Sequence, residues 1–225
     1  MNNVVLFATS AAVALSVGSA LAGPHPAFAA KATSLDPIQS AGTTLYSQNS
    51  NYANAVISQN FTSGSLGTAY NAAAADDFVV PKGKTWTVTK VDAAGVYFYR
   101  SGPASSEVIT FYKNSQGHPG SVVGRPQKIV CTDNAGNFSC KMSPVKLNGG
   151  NNGAKYWLSV VANCNYGSCG EWGWTQTSTH NHPGQWENPG GGFGTTCSAW
   201  NNTSMCFTQL GVVDDYAFAL KGKSS

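Results

Sequence analysis

The chain has 225 residues, a formal net charge of +3 and only 10% Asp, Glu, Lys or Arg, against about 25% in typical globular proteins. Its basic residues are scattered, so the sequence lacks the clustered positive charge of a nucleic-acid-binding protein. A polar surface with few charges suits a protein that meets neutral partners.

The N-terminal stretch from residue 4 to residue 22 is apolar, rich in small residues and free of charge. Residues 20–22 (ALA) and 27–29 (AFA) both fit the small-x-small pattern of a signal-peptidase site. We therefore interpret residues 1–30 as a signal peptide, the alternative being an uncleaved membrane anchor. The prediction is a secreted protein, extracellular or periplasmic, with no membrane contact after cleavage.

The remainder of the chain is long enough to form one domain with its own core. We assign residues 31–43 to an N-terminal linker and residues 44–222 to a single β-sandwich domain. Early in this domain, residues 44–47 and 55–61 can each form a strand, whereas the NAAAA run at 71–75 is predicted to be a loop.

From residue 76 onward the chain consists of short runs rich in Val, Thr, Phe, Tyr and Trp, separated by Gly, Pro, Asn and Ser. Such runs are typical of β-strands, and no stretch shows a convincing helical period. The predicted strands are 76–81, 84–92, 94–100, 106–113, 155–162, 205–213 and 215–222.

Two of these runs alternate with a period of two, which indicates strands with distinct faces. Trp86 and Val88 fall on one face of their strand and threonines on the other, which predicts one buried and one wet face. In a later strand Leu158 lies on one face, and Trp157 and Ser159 lie on the other. Many short strands separated by turns predict an all-β fold, a β-sandwich of jelly-roll type.

Six cysteines allow fifteen disulfide connectivities in principle, but here they stand in three close pairs. Turn residues lie between the members of a pair, so their ends can meet across a tight loop. We predict three local disulfides that pin loops on the scaffold: Cys131–Cys140, Cys164–Cys169 and Cys197–Cys206.

Two acidic doublets each precede an aromatic residue: Asp76-Asp77 and Asp214-Asp215. If the strands that they open are neighbours, four carboxylates crowd together and need a cation or hydrogen bonds to offset their repulsion. Calcium, with six to eight oxygen ligands, suits such a corner. The alternative is that each aspartate caps its own turn and faces water.

The segment from residue 169 to residue 202 combines tryptophans with amides and glutamates. An indole can cover the apolar face of a sugar ring, while amides and carboxylates bind its hydroxyls. We predict a non-catalytic module that binds a polysaccharide or a cell-surface glycan, with Trp186 and Trp200 at the surface. The other predicted ligand-binding residues are Trp172, Trp174, Gln185, Glu187 and Asn188, with Glu171 as a further polar contact.

Three alternatives stay open for the same residues. Trp172 and Trp174 share a strand face and can equally fill the core. Glu171 and Glu187 can be an acid and base pair for glycoside hydrolysis if their carboxyls lie about 5 to 9.5 Å apart. The third alternative is a structural or adhesive envelope protein in which every tryptophan is buried.

Several motifs resemble those of a loosely defined group of secreted bacterial β-sandwich proteins. They are ADDFVVPKGKTWTVTKV, FYKNSQGHPGSVV, GEWGW, WENPGGGFGTTC and DDYAFALKG, spread over residues 44–222. The resemblance implies an exported, jelly-roll-like domain similar in build to carbohydrate-binding and adhesion modules. It brings no established activity, substrate or catalytic residue.

Overall fold

The computed structural model describes residues 28–29, 43–62, 66–179, 181–207 and 215–225. The predicted signal peptide and linker lie almost wholly outside these residues. The described residues form an all-β sandwich, which confirms the predicted fold class. Their strands form three sheets, in which every pairing is antiparallel except that between β4 and β13.

The strands are numbered in chain order and grouped here by sheet. The first sheet contains β1 (Phe28–Ala29), β3 (Tyr52–Ile57), β7 (Gly95–Phe98), β14 (Glu171–Thr177) and β17 (Asp215–Tyr216). The second contains β4 (Gln59–Phe61), β5 (Ala73–Val80), β8 (Ser106–Ser115), β9 (His118–Val122), β10 (Gln127–Ile129), β13 (Ala154–Cys164), β15 (Gln185–Glu187) and β16 (Asn201–Asn202). The third contains β2 (Thr43–Ser47), β6 (Thr85–Ala93), β11 (Thr132–Asn134), β12 (Asn137–Asn148) and β18 (Phe218–Ser224).

Three short helices interrupt the described strands: a 3₁₀-helix at Gly67–Tyr70, α1 at Tyr166–Cys169 and α2 at Thr203–Cys206. The strand predicted at 205–213 is wrong at its start, because Met205 and Cys206 lie in α2; its end, 208–213, lies outside the described residues. The loop predicted at 71–75 is also wrong, since β5 begins at Ala73 and pairs with two other strands.

The core lies between the three sheets and combines stacked aromatic rings with aliphatic side chains. Phe78 of the second sheet stacks on Trp86 of the third, with ring centroids 6.1 Å apart. Trp172 of the first sheet stacks on Phe138 of the third at 4.6 Å. The predicted alternation of β6 is confirmed, because Trp86 and Val88 are buried while the threonines between and after them are not.

The buried carboxylate of Asp76 joins all three sheets. It lies on β5 of the second sheet and accepts hydrogen bonds from the Tyr216 backbone N–H on β17 and from Gln48 Nε2, 2.6 Å away, just beyond β2. Gln48 Nε2 also donates to the Tyr216 carbonyl at 2.8 Å. Because each of these groups is buried, losing one partner would leave another unsatisfied.

All three predicted disulfides are formed: Cys131–Cys140, Cys164–Cys169 and Cys197–Cys206. The first closes the hairpin of β11 and β12, as the turn residues between its cysteines predicted. The second spans α1, and the third encloses the loop that carries Trp200.

Gly222 of β18 lies at a register shift against β6, where the two backbones approach closely. A Cβ at this position would lie 2.0 Å from the Thr87 carbonyl oxygen. We expect Gly222→Ala to lower the free energy of unfolding by about 1–3 kcal/mol, because the strands must separate to admit the methyl group. Urea denaturation measures this loss, with the exposed Ser224→Ala on the same strand as a control that changes stability by less than about 0.5 kcal/mol. Equal stabilities for the two variants would contradict the close approach.

Candidate functional site

Three of the four tryptophans that were predicted to bind sugar are core residues. Trp172, Trp174 and Trp186 are each 0% exposed. Their indole N–H groups donate to backbone carbonyls of Gly136, Ala217 and Ile57, at 2.8, 3.0 and 2.8 Å. A buried indole needs such a partner, so these rings have no face or N–H left for a ligand.

The prediction that Trp186 lies at the surface is therefore wrong. Loop-like residues flank Trp186 in the sequence, but it belongs to β15, which pairs with β5 on one edge and β16 on the other. Its ring lies on the inner face of the second sheet, 4.8 Å from that of Phe207.

Asn188 has a structural role rather than the predicted role in binding. Its Nδ2 donates to the carbonyls of Ala69 and Asn71, and its Oδ1 accepts from the Phe193 N–H. These bonds fasten the glycine-rich turn to the 3₁₀-helix. A Cβ at Gly190 would lie 2.5 Å from Ala69 Cα, which explains a glycine there without any ligand.

The other predicted residues Gln185, Glu187 and Trp200 lie on or beside the outer face of the second sheet, which points away from the core. We call this surface the Glu187 face. Glu187 and Trp200 are half-buried, and Gln185 is buried. Strand register extends the face across β8, β13, β5 and β15: Thr110 pairs with Ser159, Ser159 with Ala75, and Ala75 with Gln185. In the adjacent row Tyr112 pairs with Trp157, which pairs with Asp77.

Trp157 and Tyr112 belong to this face although neither was predicted as a site residue. Trp157 is 0% exposed yet lies outside the main core cluster. Its indole N–H donates to Asn114 Oδ1 at 3.0 Å, and Lys155 Nζ lies 5.8 Å from the ring centroid. The alternation of β13 placed Trp157 and Ser159 on one face, but no motif in the sequence favoured that face as a site.

Two contacts span the Glu187 face, each joining the β8–β9 side of the sheet to the β15–β16 side. His118, at the start of β9, places Nδ1 2.6 Å from Gln185 Oε1 on β15. The Tyr112 and Trp200 rings lie 6.0 Å apart at an interplanar angle of 70°. In a flat sheet β8 and β15 would be about 14 Å apart, three strand spacings. These contacts therefore require a curled sheet or overhanging loops, and they partly enclose the face.

The contact between His118 and Gln185 has a defined direction. Gln185 Nε2 donates to Asn202 Oδ1 at 2.6 Å and to the Pro183 carbonyl at 3.1 Å. Its Oε1 is thus the atom that faces the histidine, so His118 Nδ1 must carry the hydrogen and donate. Gln185 is held by three partners and is preorganised rather than mobile.

Buried polar atoms without hydrogen-bond partners lie on this enclosed face. Ser159 Oγ has none, and neither has Asp77 Oδ1. The other oxygen, Asp77 Oδ2, is 2.8 Å from Lys155 Nζ and 3.6 Å from His182 Nδ1. Burial raises the pKa of Asp77, while the hydrogen bond and the charge of Lys155 oppose this effect. Buried polar groups are normally satisfied, so these two covered atoms are exceptions on this face.

The electrostatics of the face centre on Glu187. Burial raises the pKa of its carboxyl to about 7. Burial also raises the pKa of the Tyr112 phenol, with a hydrogen bond from Thr110 opposing and the charge of Glu187 adding to the effect. The charge of Glu187 therefore reaches the Tyr112 phenol across the face.

The predicted calcium set is not assembled in the part of the chain that is described. Burial and the charge of Asp215 both raise the pKa of Asp76, so these two carboxyls do approach each other. However, N–H donors occupy Asp76, and Asp77 binds Lys155 on the opposite face of β5. Asp214 lies outside the described residues. Among the residues that are described, no three His, Cys, Asp or Glu side chains are arranged to hold a metal ion.

Nothing in the described structure joins Glu171 and Glu187 as an acid and base pair. Glu171 opens β14 of the first sheet and Glu187 ends β15 of the second. Glu171 acts electrostatically on Tyr99 and Tyr166, whereas Glu187 acts on Tyr112. The two carboxyls thus have separate surroundings.

No family model, curated protein or solved structure matches the chain. The resemblance to secreted bacterial β-sandwich proteins therefore stays a prediction. Within the described residues, no helix is long and apolar enough to cross a membrane.

The burial of the tryptophans predicts the response of the protein to a fluorescence quencher. Five of the six tryptophans are at most 5% exposed, and Trp200 is the half-buried exception. We expect iodide to quench a small fraction of the emission, and Trp200→Phe to remove that fraction. Trp86→Phe, the control, should leave it unchanged. Undiminished quenching in Trp200→Phe would contradict the burial of the other rings.

The raised pKa of Glu187 predicts a pH-dependent stability. Between about pH 4.5 and 7 the unfolded chain releases this proton while the folded chain keeps it, so stability falls as pH rises through this window. Glu187→Gln removes the contribution of this carboxyl, while those of Glu107 and Glu171, whose pKa values are also raised by burial, remain. We expect this variant to be more stable than the parent at pH 8 and equal to it at pH 4, as measured by urea denaturation. A constant difference across this range would contradict the shift.

Proposed function

We propose that the protein is exported and binds, without catalysis, a polysaccharide or a glycan-coated surface through the Glu187 face. The observation that carries the proposal is the pair of half-buried rings, Tyr112 and Trp200, beside the Glu187 carboxyl. Two rings at 70° offer one flat wall and one edge to a sugar, and the carboxyl can bind its hydroxyls.

The enclosed part of the face adds polar atoms of the kind that a hydroxyl-rich ligand needs. Ser159 Oγ and Asp77 Oδ1 lack partners and are covered, so a bridging water beneath the bound sugar, rather than a sugar hydroxyl directly, can satisfy them. The low charge content of the chain favours a neutral ligand over an ionic one.

The site is also preorganised. Trp200 lies inside the loop closed by Cys197–Cys206, and the next two residues form β16. Gln185 is fixed by His118, Asn202 and the Pro183 carbonyl. A site that is already ordered loses less conformational entropy on binding.

Export is supported by two separate features. The N-terminal segment has the composition of a signal peptide. The three disulfides formed by all six cysteines are typical of proteins in oxidising compartments.

Sedimentation with insoluble polysaccharides tests the proposal. We expect the protein to be retained by at least one of cellulose, chitin, xylan or mannan, and Trp200→Ala to weaken retention about tenfold or more, equivalent to about 1.4 kcal/mol. Tyr99→Ala, which removes an exposed ring of the first-sheet region, is the matched control and should bind like the parent.

Two results would overturn the proposal. Equal retention of Trp200→Ala and the parent would place the site elsewhere. Release of soluble sugar that stops in Glu187→Gln would show that the face is catalytic.

A further inference from the structure

A second feature, remote from the Glu187 face, is the buried carboxyl of Glu171. Glu171 is 0% exposed, and neither of its oxygens has a hydrogen-bond partner. No Lys, Arg or His of the described residues forms an ion pair with it. A buried carboxyl with neither kind of partner is costly, so its retention calls for a compensating role.

Two tyrosines lie next to this carboxyl. Glu171 pairs with Phe98, the residue before Tyr99, and follows the turn that ends α1, in which Tyr166 lies. The Tyr99 and Tyr166 rings are 6.2 Å apart and tilted by 51°. Tyr99 is 54% exposed, and Tyr166 is half-buried. Together the rings form an open corner, and the charge of Glu171 acts on both phenols.

The backbone around the two tyrosines is held in place by a disulfide and a hydrogen bond, and Tyr99 adopts an unfavourable backbone conformation. Tyr99 has a φ of 64°, in the left-handed region that bulky residues seldom adopt. The Cys164–Cys169 bridge spans α1, and the Gly102 N–H donates to the Cys169 carbonyl at 3.2 Å, which ties the Tyr99 segment to the Tyr166 segment. Such strain persists where the surrounding structure enforces it, often at ligand sites.

We propose that Tyr99, Tyr166 and Glu171 form a binding site for an organic ammonium cation. Aromatic faces attract a cation through their quadrupole, and the nearby carboxylate adds Coulomb attraction across a poorly screened environment. Because the carboxyl oxygens are covered, a ligand cannot donate hydrogen bonds to them and is attracted by their charge alone. A quaternary ammonium group, which has no N–H donor, fits these conditions.

The charge state of Glu171 makes the binding pH-dependent. Burial raises the pKa of its carboxyl to about 8. Burial and the charge of Glu171 raise the pKa of both phenols, so they stay neutral at pH 9, while the nearby Arg100 lowers the pKa of Tyr166. Asp215 pairs at the far end of β14, about 20 Å away. Glu171 is therefore the group near the corner that changes charge between pH 6 and pH 9.

Calorimetric titration of the full chain with tetramethylammonium chloride, against sodium chloride at equal ionic strength, tests the site. We expect saturable millimolar binding at pH 9 and at least tenfold weaker binding at pH 6. Glu171→Gln should abolish the pH 9 binding, and Tyr166→Leu should weaken it severalfold. Glu171→Gln keeps the side-chain shape and removes a buried charge, so its thermal midpoint at pH 9 should equal or exceed that of the parent.

Two results would overturn this inference: no saturable binding at pH 9, or parent-like binding by a folded Glu171→Gln. Trp200→Ala should keep tetramethylammonium binding and lose polysaccharide binding, while Tyr99→Ala should do the reverse. The inference does not depend on the glycan proposal, and the two variants separate its failure from that of the other site.

Discussion

The carboxylate of Asp76 is the contact on which the arrangement of the three sheets depends. It lies on β5 and accepts hydrogen bonds from Gln48, just beyond β2, and from the Tyr216 backbone N–H on β17, so one carboxylate connects all three sheets. Its neighbour Asp77 points to the other side of β5, where it meets Lys155 on the Glu187 face. Within this acidic doublet, Asp76 connects the sheets on the inner side of β5, and Asp77 places its carboxyl on the outer side, at the candidate site. This division follows directly from the alternation of side chains along a strand.

The same alternation decides which aromatic residues a ligand can reach. On β14, Trp172 and Trp174 share the face that packs on the third sheet, and Glu171 takes the opposite face near Tyr99 and Tyr166. On β15, Trp186 points inward while Gln185 and Glu187 point outward. Backbone carbonyls satisfy the three inner indoles. The two proposed sites therefore use one tryptophan, Trp200, together with tyrosines and two glutamates, Glu171 and Glu187, whose pKa values are raised by burial.

Much of the fold was predictable, because local features determine it. Period-two runs identified β6 and β13, residue composition identified most of the other long strands, and turn residues between close cysteines predicted each disulfide. β12 was not among the predicted strands, since Pro144 and many polar residues hide a strand that has a register shift between Lys141 and Val145. The site was less predictable. Trp186 is surrounded by turn residues, and its burial results from pairing with β5, more than 100 residues earlier in the chain. Tyr112 and Trp157 join Glu187 only through sheet register, which sequence spacing does not encode.

The two proposed sites differ in the ligand chemistry that they favour, because different groups surround them. The Glu187 face offers hydroxyl-binding groups and an edge-on ring pair, whereas the Tyr99–Tyr166 corner offers ring faces and the buried carboxyl of Glu171.

The central claim is that carbohydrate binds to the outer face of the second sheet and not to the tryptophan-rich core. Its most direct test is to follow the six indole N–H resonances by NMR during titration with neutral hexasaccharides of β-1,4-glucan, chitin and mannan. We predict that the Trp200 resonance shifts with at least one of them while those of Trp172, Trp174 and Trp186 stay in place. Movement of those three with Trp200 unchanged would contradict the account.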